Sequence, residues 1–391
     1  MTGRRREGAI AKLRRAKRHW GGFIVNWRIL IRGTGAFLAA FALIACASAQ
    51  PSTSDPAPTI IAIGDLHGDY DAYESLMDEA GLINRRGRWA GGDTIFVQTG
   101  DVPDRGPDSL KIIRHLQKLQ RQAARKGGKV VTLVGNHEAM NITGDLRYVH
   151  PGEYEAFKSR NSQRVRDNLY NANREIIEAA YLEQDPALPS NEIKAQWEAT
   201  TPLGMIEHRR AWRAGGEVGE WVAANPAVVI IGDSLFVHGG ISEKYAGYSA
   251  EDINRMVAEA LIARDIDPAS IINDEEGPLW YRGLIRRDEI AAAPTEDPYA
   301  AAPTEEEESA PPKLSIEEEI DLVLNAYGVN RIIIGHTPSL TGITASYGGK
   351  LIRIDTGIAA YYGGARSFLR LEGGVPYAHD NGIVNAIGGA Q

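Results

Sequence analysis

The 391-residue chain holds one cysteine, Cys46, and that lies near its start. Disulfides within the folded part are therefore excluded. Long apolar runs are scarce as well. The stretch from about Gly33 to Ala45 is short against the ~20 residues that a membrane-spanning helix needs. An excess of positive charge is found only at the amino terminus. Residues 1–32 contain ten Lys/Arg and one Glu, and residues 33–49 carry no charge. Against a net charge of −8 for the whole, a leader of about +9 leaves the rest near −17. A body that acidic repels polyanions, which excludes a generic nucleic-acid binder.

The leader itself is informative. A basic segment, an apolar core and Ala47-Ser48-Ala49 before Gln50 read as an export signal over residues 1–49. Leu43-Ile44-Ala45-Cys46 offers a second reading, a bacterial lipoprotein signal in which lipidated Cys46 anchors the protein to a membrane without spanning it. A third, an anchor that is never cut, is disfavoured by the short core. The first two place the mature protein outside the cytoplasm, in a bacterial periplasm. Residues 50–58 form a Pro/Ser linker, and the domain runs from 59 to 391.

Within that domain, Thr59–Ile63, Thr94–Gln98 and Lys129–Val134 read as buried strands. A helix capped by Asp71 follows the first, with Tyr73, Leu76 and Met77 on one face. A helix over Ser109–Lys126 follows the second, with a stripe of Ile112, Leu116 and Leu119. This βαβαβ rhythm predicts an α/β fold with a mostly parallel sheet. Residues 144–224 break the rhythm and read as a helical insertion, either a cap beside the site or a layer packed on the sheet. Ala227–Ile231 and Leu235–Val237 form a hairpin around Gly232-Asp233-Ser234. Residues 291–313 collapse to Ala, Pro and Glu and read as a flexible acidic loop. Ser315 with Glu318 forms a capping box that restarts helix. Arg331–Ile334 is a further strand, and Ile343–Ser346 with Leu351–Asp355 a further hairpin.

One grammar recurs five times: an apolar strand, then a metal-binding side chain with a glycine beside it. The glycine stands before Asp65, Asp101, Asn136 and His336 and after His238. In an open α/β sheet the carboxyl ends of the strands are where ligands bind. Carboxylate and amide oxygens mixed with imidazole at one edge suit a metal site, and an arginine beside them suits phosphate. The chemistry nominated is metal-assisted hydrolysis of a phosphate ester.

The motifs Gly64-Asp65-Leu66-His67-Gly68, Gly100-Asp101-Val102-Pro103-Asp104-Arg105-Gly106, Gly135-Asn136-His137-Glu138, His238-Gly239-Gly240 and Gly335-His336 resemble those of the calcineurin-like metallophosphoesterase superfamily. Within it they resemble the phosphoprotein phosphatase branch, and most of all the Shewanella-like protein phosphatases. The resemblance implies a β-sandwich flanked by helices and two divalent or mixed-valence transition metal ions, of which Mn, Fe, Zn or Co suit the mixed donors. It implies Asp65, His67 and Asp101 as ligands of the first ion and Asp101, Asn136, His238 and His336 as ligands of the second. It implies His137 as general acid, oriented by Asp104, and Arg105, Arg282 and Asn136 as groups that hold the substrate phosphate. Hydroxide activated by the metals would attack phosphorus directly. Glu138 is expected behind the ligands rather than among them.

Two departures from the eukaryotic enzymes stand out. Pro103 replaces the usual valine, and the carboxyl-terminal Ser-Ala-Pro-Asn-Tyr segment has no counterpart, although Tyr361 or Tyr362 could fill part of that space. The expected substrate is a phosphorylated protein, on Ser/Thr or Tyr, or a small phosphoester. The alternative is a dinucleoside polyphosphate hydrolase, which Arg105-Gly106-Pro107-Asp108-Ser109 also resembles. A non-catalytic, lipid-anchored binding module is the third reading, and the full set of ligands and acid speaks against it.

Overall fold

The computed structural model describes residues 58–292 and 314–388, without the side chains of 288–292. The expected signal, Cys46, the linker before Pro58 and the acidic loop beyond Ala292 lie outside these residues. No helix among the described residues is long and apolar enough to cross a membrane.

The chain begins with β1 (Ile60–Ile63), α1 (Tyr70–Glu79), β2 (Ile95–Gln98), α2 (Ser109–Ala124), β3 (Lys129–Thr132) and α3 (Asn136–Thr143). Helices α4 (Pro151–Phe157), α5 (Ser162–Ala172), α6 (Arg174–Gln184), α7 (Ser190–Thr200), α8 (Met205–Trp212) and α9 (Glu217–Ala223) come next. Then follow β4 (Val228–Ile231), β5 (Ser234–Val237), α10 (Ala250–Ala263) and α11 (Gly283–Ala292). Beyond the undescribed gap come α12 (Ile316–Tyr327), β6 (Arg331–Ile334), β7 (Thr344–Ser346) and β8 (Leu351–Arg353). Strands β9 (Ser367–Glu372), β10 (Val375–Asp380) and β11 (Ile383–Ala386) close the chain.

Two sheets stack, one ordered β11-β10-β9-β1-β2-β3 and the other β4-β5-β6-β8-β7. Period-two alternation explains how such short strands serve two cores. In β1, Ile60 and Ala62 face the space between the sheets, while Ile61 and Ile63 face the helices. In β6, Ile333 points inward and Ile332 and Ile334 outward. Leu76 and Met77 of α1 and Ile112, Leu116 and Leu119 of α2 cover the outer face of the first sheet.

Three expectations need correction. The sheets are mixed rather than mostly parallel. Pairs β1–β2, β2–β3, β5–β6 and β6–β8 run parallel, while β1–β9, β9–β10, β10–β11, β4–β5 and β7–β8 run antiparallel. The βαβ rhythm governs only the first three strands, and hairpins build much of the rest. Helix α1 is capped by Asp69, whose Oδ1 accepts the Ala72 N–H at 2.9 Å. Asp71 sits in the first turn instead, because Gly68 at φ 64° leaves Asp69 as the last non-helical residue. Strands β9–β11 were not anticipated. Their turns at Gly373-Gly374 and Asn381-Gly382 have φ of 57°, 82°, 50° and 80°, the two-residue geometry favoured in hairpins.

Candidate metal centre

The site lies where both sheets end. Asp65 follows β1, Asp101 follows β2, Asn136 opens α3 after β3, His238 follows β5 and His336 follows β6. All five are buried, as are His67 and His137. Glycine is required for this crowding at Gly135 and Gly335. A Cβ on Gly335 would stand 2.5 Å from Asp65 Oδ1, and one on Gly135 would overlap the Asp101 carboxylate.

The backbone is strained here. Of eight non-glycine residues with positive φ among those described, five are His67, Asp101, Asp104, Arg105 and His336. Left-handed geometry disfavours residues with a Cβ, and its concentration at one place marks a functional site.

The donor atoms converge. Asp101 Oδ2 lies 3.3 Å from His238 Nε2 and 3.9 Å from both His67 Nε2 and His137 Nε2. Asn136 Oδ1 lies 3.0 Å from the same His238 nitrogen. Asp65 Oδ2 is 3.9 Å from His67 Nε2, and both Asp65 oxygens accept the His336 N–H at 3.2 Å. Backbone carbonyls select which imidazole nitrogen faces inward. Pro103 O sits 3.2 Å from His67 Nδ1, Thr99 O 2.9 Å from His238 Nδ1, and Trp280 O 3.2 Å from His336 Nε2. The opposite nitrogen of each ring is thereby left for a cation.

Charge completes the fit. Burial, then Asp355 and Asp101, push the Asp65 carboxyl well above the usual range. Burial and Asp101 push Glu138 up to about 7. Burial and neighbouring Asp101 likewise raise Asp355 to about 6. Burial, reinforced by His137, lowers His67 to about 3, so its ring is neutral and able to ligate. His238 has acceptors at both nitrogens, and although burial opposes its protonation, Asp101 outweighs it and raises the pKa, which favours a second proton there when no cation is present. A cation between Nε2 and the oxygens of Asp101 and Asn136 would satisfy that arrangement and offset the carboxylate repulsion. Two overlapping groups could hold metal: His67, Asp101 and His137, and Asp101, His238 and His336.

Glu138 stands behind them. Its Oε2 accepts the N–H groups of Asp101 and Gly135 at 2.9 and 2.8 Å, and its Oε1 accepts that of Val102 at 2.8 Å. His137 Nδ1 meets Asp104 Oδ2 at 2.5 Å, which leaves Nε2 facing Asp101. Burial opposes protonation of His137, yet Asp101 and Asp104 outweigh it and raise its pKa. The Arg105 guanidinium lies 3.8 Å from the Tyr148 ring and 4.9 Å from that of Tyr361, and donates to Tyr361 Oη at 3.2 Å. Its charge reaches His67, while that of Arg282 reaches His336, so both guanidiniums lie near the centre.

Similarity to known proteins now bears on this geometry. A family profile described as calcineurin-like phosphoesterase matches residues 58–340. The chain belongs to the calcineurin-like phosphoesterases. Members of this family are metal-dependent phosphoric ester hydrolases built around a dimetal centre, and this chain is a metal-dependent phosphatase. It is 33% identical to Shewanella-like protein phosphatase 2 of Arabidopsis thaliana over 77% of its own length and 71% of that protein. Its fold is similar to that of the cold-active protein-tyrosine phosphatase of a psychrophilic Shewanella, with a TM-score of 0.57, 25% identity, and 85% and 80% of the two chains covered. A symmetrical bis(5'-nucleosyl)-tetraphosphatase of Wigglesworthia glossinidia brevipalpis is 40% identical, but over only 19% of this chain and 23% of that one.

Of the other residues around this phosphoesterase centre, Asp355 and Tyr362 were open to the sequence reading, whereas Tyr148 and Glu153 escaped it. Asp355 accepts the N–H of Gly357 at 2.9 Å, as a turn residue does, and also adds buried negative charge beside Asp65. Tyr148 and Glu153 reach the site from the residues between α3 and α5. Nothing local in sequence marks either one, since both act across long separations. Tyr362 lies 5.3 Å from the His67 ring.

Proposed function

We propose that the chain is a phosphoprotein phosphatase that cleaves phosphate monoesters by direct attack of hydroxide, with phosphotyrosine as the favoured residue. The observation that carries this reading is the convergence of five strand ends on Asp101 Oδ2, with His137 Nε2 3.9 Å from the same oxygen. Asp65, His67 and Asp101 would hold one ion, and Asp101, Asn136, His238 and His336 the other; Mn, Fe, Zn and Co suit these donors. When bound, the two ions supply Lewis acidity and make hydroxide available from water near neutral pH.

The chain's own groups account for the remainder. Arg105 and Arg282 grip phosphate oxygens, and Asn136 adds an amide contact. As the water oxygen bonds to phosphorus and the ester bond breaks, His137 Nε2 gives its proton to the leaving oxygen. Asp104 keeps that ring oriented and charged. Tyr148, Tyr361 and Tyr362 surround Arg105 and His67 with aromatic surface, which supports an aryl leaving group. The tyrosine phosphatase activity named for the Shewanella structure supports the same choice.

Hydrolysis of dinucleoside polyphosphates is the second reading. Its support is confined to a local likeness. Rates on phosphotyrosyl and phosphoseryl peptides and on diadenosine tetraphosphate, measured with metal analysis on protein lacking residues 1–49, test the proposal. Clear preference for the dinucleotide refutes it. We also propose export, on the strength of the leader. Sequencing the mature amino terminus should find Gln50 or an acylated Cys46. A peptide that retains Arg4–Arg6 refutes both.

A further inference from the structure

Two consecutive residues at this centre, Asp104 and Arg105, have φ of 74° and 66°. Neither is glycine, so something must hold them there. Their N–H groups are both taken by one short stretch between α3 and α5. Arg105 donates to Tyr148 O at 3.0 Å, and Asp104 donates to Glu153 Oε1 at 2.9 Å. Glu153 lies in α4, is 1% exposed, and also accepts the Ser109 hydroxyl at 2.5 Å. Its other oxygen has no hydrogen-bond partner and sits 3.7 Å from Nε2 of the fully buried His208. On its side-chain end, Asp104 meets His137 at 2.5 Å and accepts from Asn141 Nδ2 at 3.0 Å.

We propose that Glu153 is a positioning residue for the Asp104–His137 pair, and that the residue 148–153 segment is a clamp on the strained Asp104-Arg105 turn. The assignment rests on the reading of Asp104 and His137 as the proton-donating pair. A buried carboxylate is an expensive way merely to join two helices, since an apolar contact does so without desolvating charge. Glu153 instead spends an oxygen on the one N–H whose placement sets the Asp104 carboxylate. Releasing it lets Asp104 relax toward ordinary φ and turns its carboxylate away from the imidazole.

Reach and charge are separable here. Glu153→Gln keeps the acceptor at the same reach and removes the charge. Glu153→Asp keeps the charge and withdraws the acceptor by one methylene. The readout is the ratio of kcat on phenyl phosphate to kcat on p-nitrophenyl phosphate, measured with the full chain and with metal content recorded. A poor leaving group needs the proton and a good one hardly does. Glu153→Asp should therefore lose up to about 10²-fold on phenyl phosphate and much less on p-nitrophenyl phosphate, because small misplacements of catalytic groups cost that much. Glu153→Gln should keep the ratio of the unaltered protein. Equal losses on both substrates in the Asp variant overturn the assignment. So does a lowered ratio in the Gln variant, whether or not the Asp variant folds. His137→Asn on the same pair separates the two ideas. If it leaves the ratio unchanged, the proton-donor reading fails and this assignment with it. If it lowers the ratio and Glu153→Asp does not, only the role of Glu153 falls.

Discussion

Glu138→Gln should weaken metal binding far more than it weakens the metal-free fold. The glutamate accepts three buried N–H groups, from Asp101, Gly135 and Val102. The best glutamine pose keeps its carbonyl toward Asp101 and Gly135 and turns its amide toward Val102. One buried donor is then left unpaired, which costs about 1–3 kcal/mol, and two charge-assisted bonds become neutral, at about 1 kcal/mol each. The gross loss is about 3–5 kcal/mol. Desolvation and repulsion run the other way. Burial and the Asp101 carboxylate hold Glu138 up to about 7, so removing its charge relieves the metal-free protein of about 3 kcal/mol. Bound cations cancel that repulsion beforehand, so the loaded protein gains no such relief. The two contributions nearly offset in the metal-free state, and the loss appears as a 10- to 100-fold drop in metal affinity, roughly what outer partners of ligands contribute. Urea unfolding in the presence of chelator and metal titration of the refolded variant measure the two halves. A metal-free protein weakened by the whole ~4 kcal/mol, with unchanged metal affinity, would refute the reasoning.

Three further outcomes are expected. His137→Asn should lower kcat on phenyl phosphate by about 10² or more while metal content by elemental analysis stays near normal; an unchanged rate removes His137 from the mechanism. Arg105→Lys loses the stacking on Tyr148 and the proposed two-pronged grip on phosphate, and should lower kcat/KM on phosphotyrosyl peptide by about tenfold, whereas a ratio near one places the phosphate elsewhere. Glu319 is 3% exposed, accepts the Tyr281 hydroxyl and the Glu243 N–H at 2.7 Å each, and pairs with Arg287. Glu319→Leu leaves the Arg287 charge without its carboxylate and the Tyr281 hydroxyl and Glu243 N–H without their acceptor; it should destabilise the fold by about 3–5 kcal/mol in urea titration, and a loss under about 1 kcal/mol would show the pair to be dispensable.

The superfamily and the strand-glycine-ligand grammar were legible because they are local. Each candidate ligand lies within a few residues of the strand that delivers it, and a glycine beside it announces the turn. Capping Ser315 with Glu318 was legible for the same reason. Legibility failed where geometry is set from afar. Asp69 and Asp71 are chemically equal candidates for a cap, and only the backbone turn at Gly68 chooses between them. Strands β9–β11 carry hairpin signals at Gly373-Gly374 and Asn381-Gly382 but no chemistry, and the antiparallel pairing of β9 with β1 depends on residues some 300 positions earlier. Glu153 looks in sequence like any helical glutamate, and its meaning comes from an N–H 49 residues before it.

The seam between the two sheets has a mechanical side. Asp65, Asp101 and Asn136 come from one sheet and His238 and His336 from the other. Across the seam His238 meets Thr99 O, and the His336 N–H meets Asp65. An ion held among these donors is a rivet through two plates, set at the rim where a sandwich would first pry apart. Its removal should be felt as loosening at that rim, with faster amide exchange at the ends of β2 and β5, before any loss from the apolar filling between them.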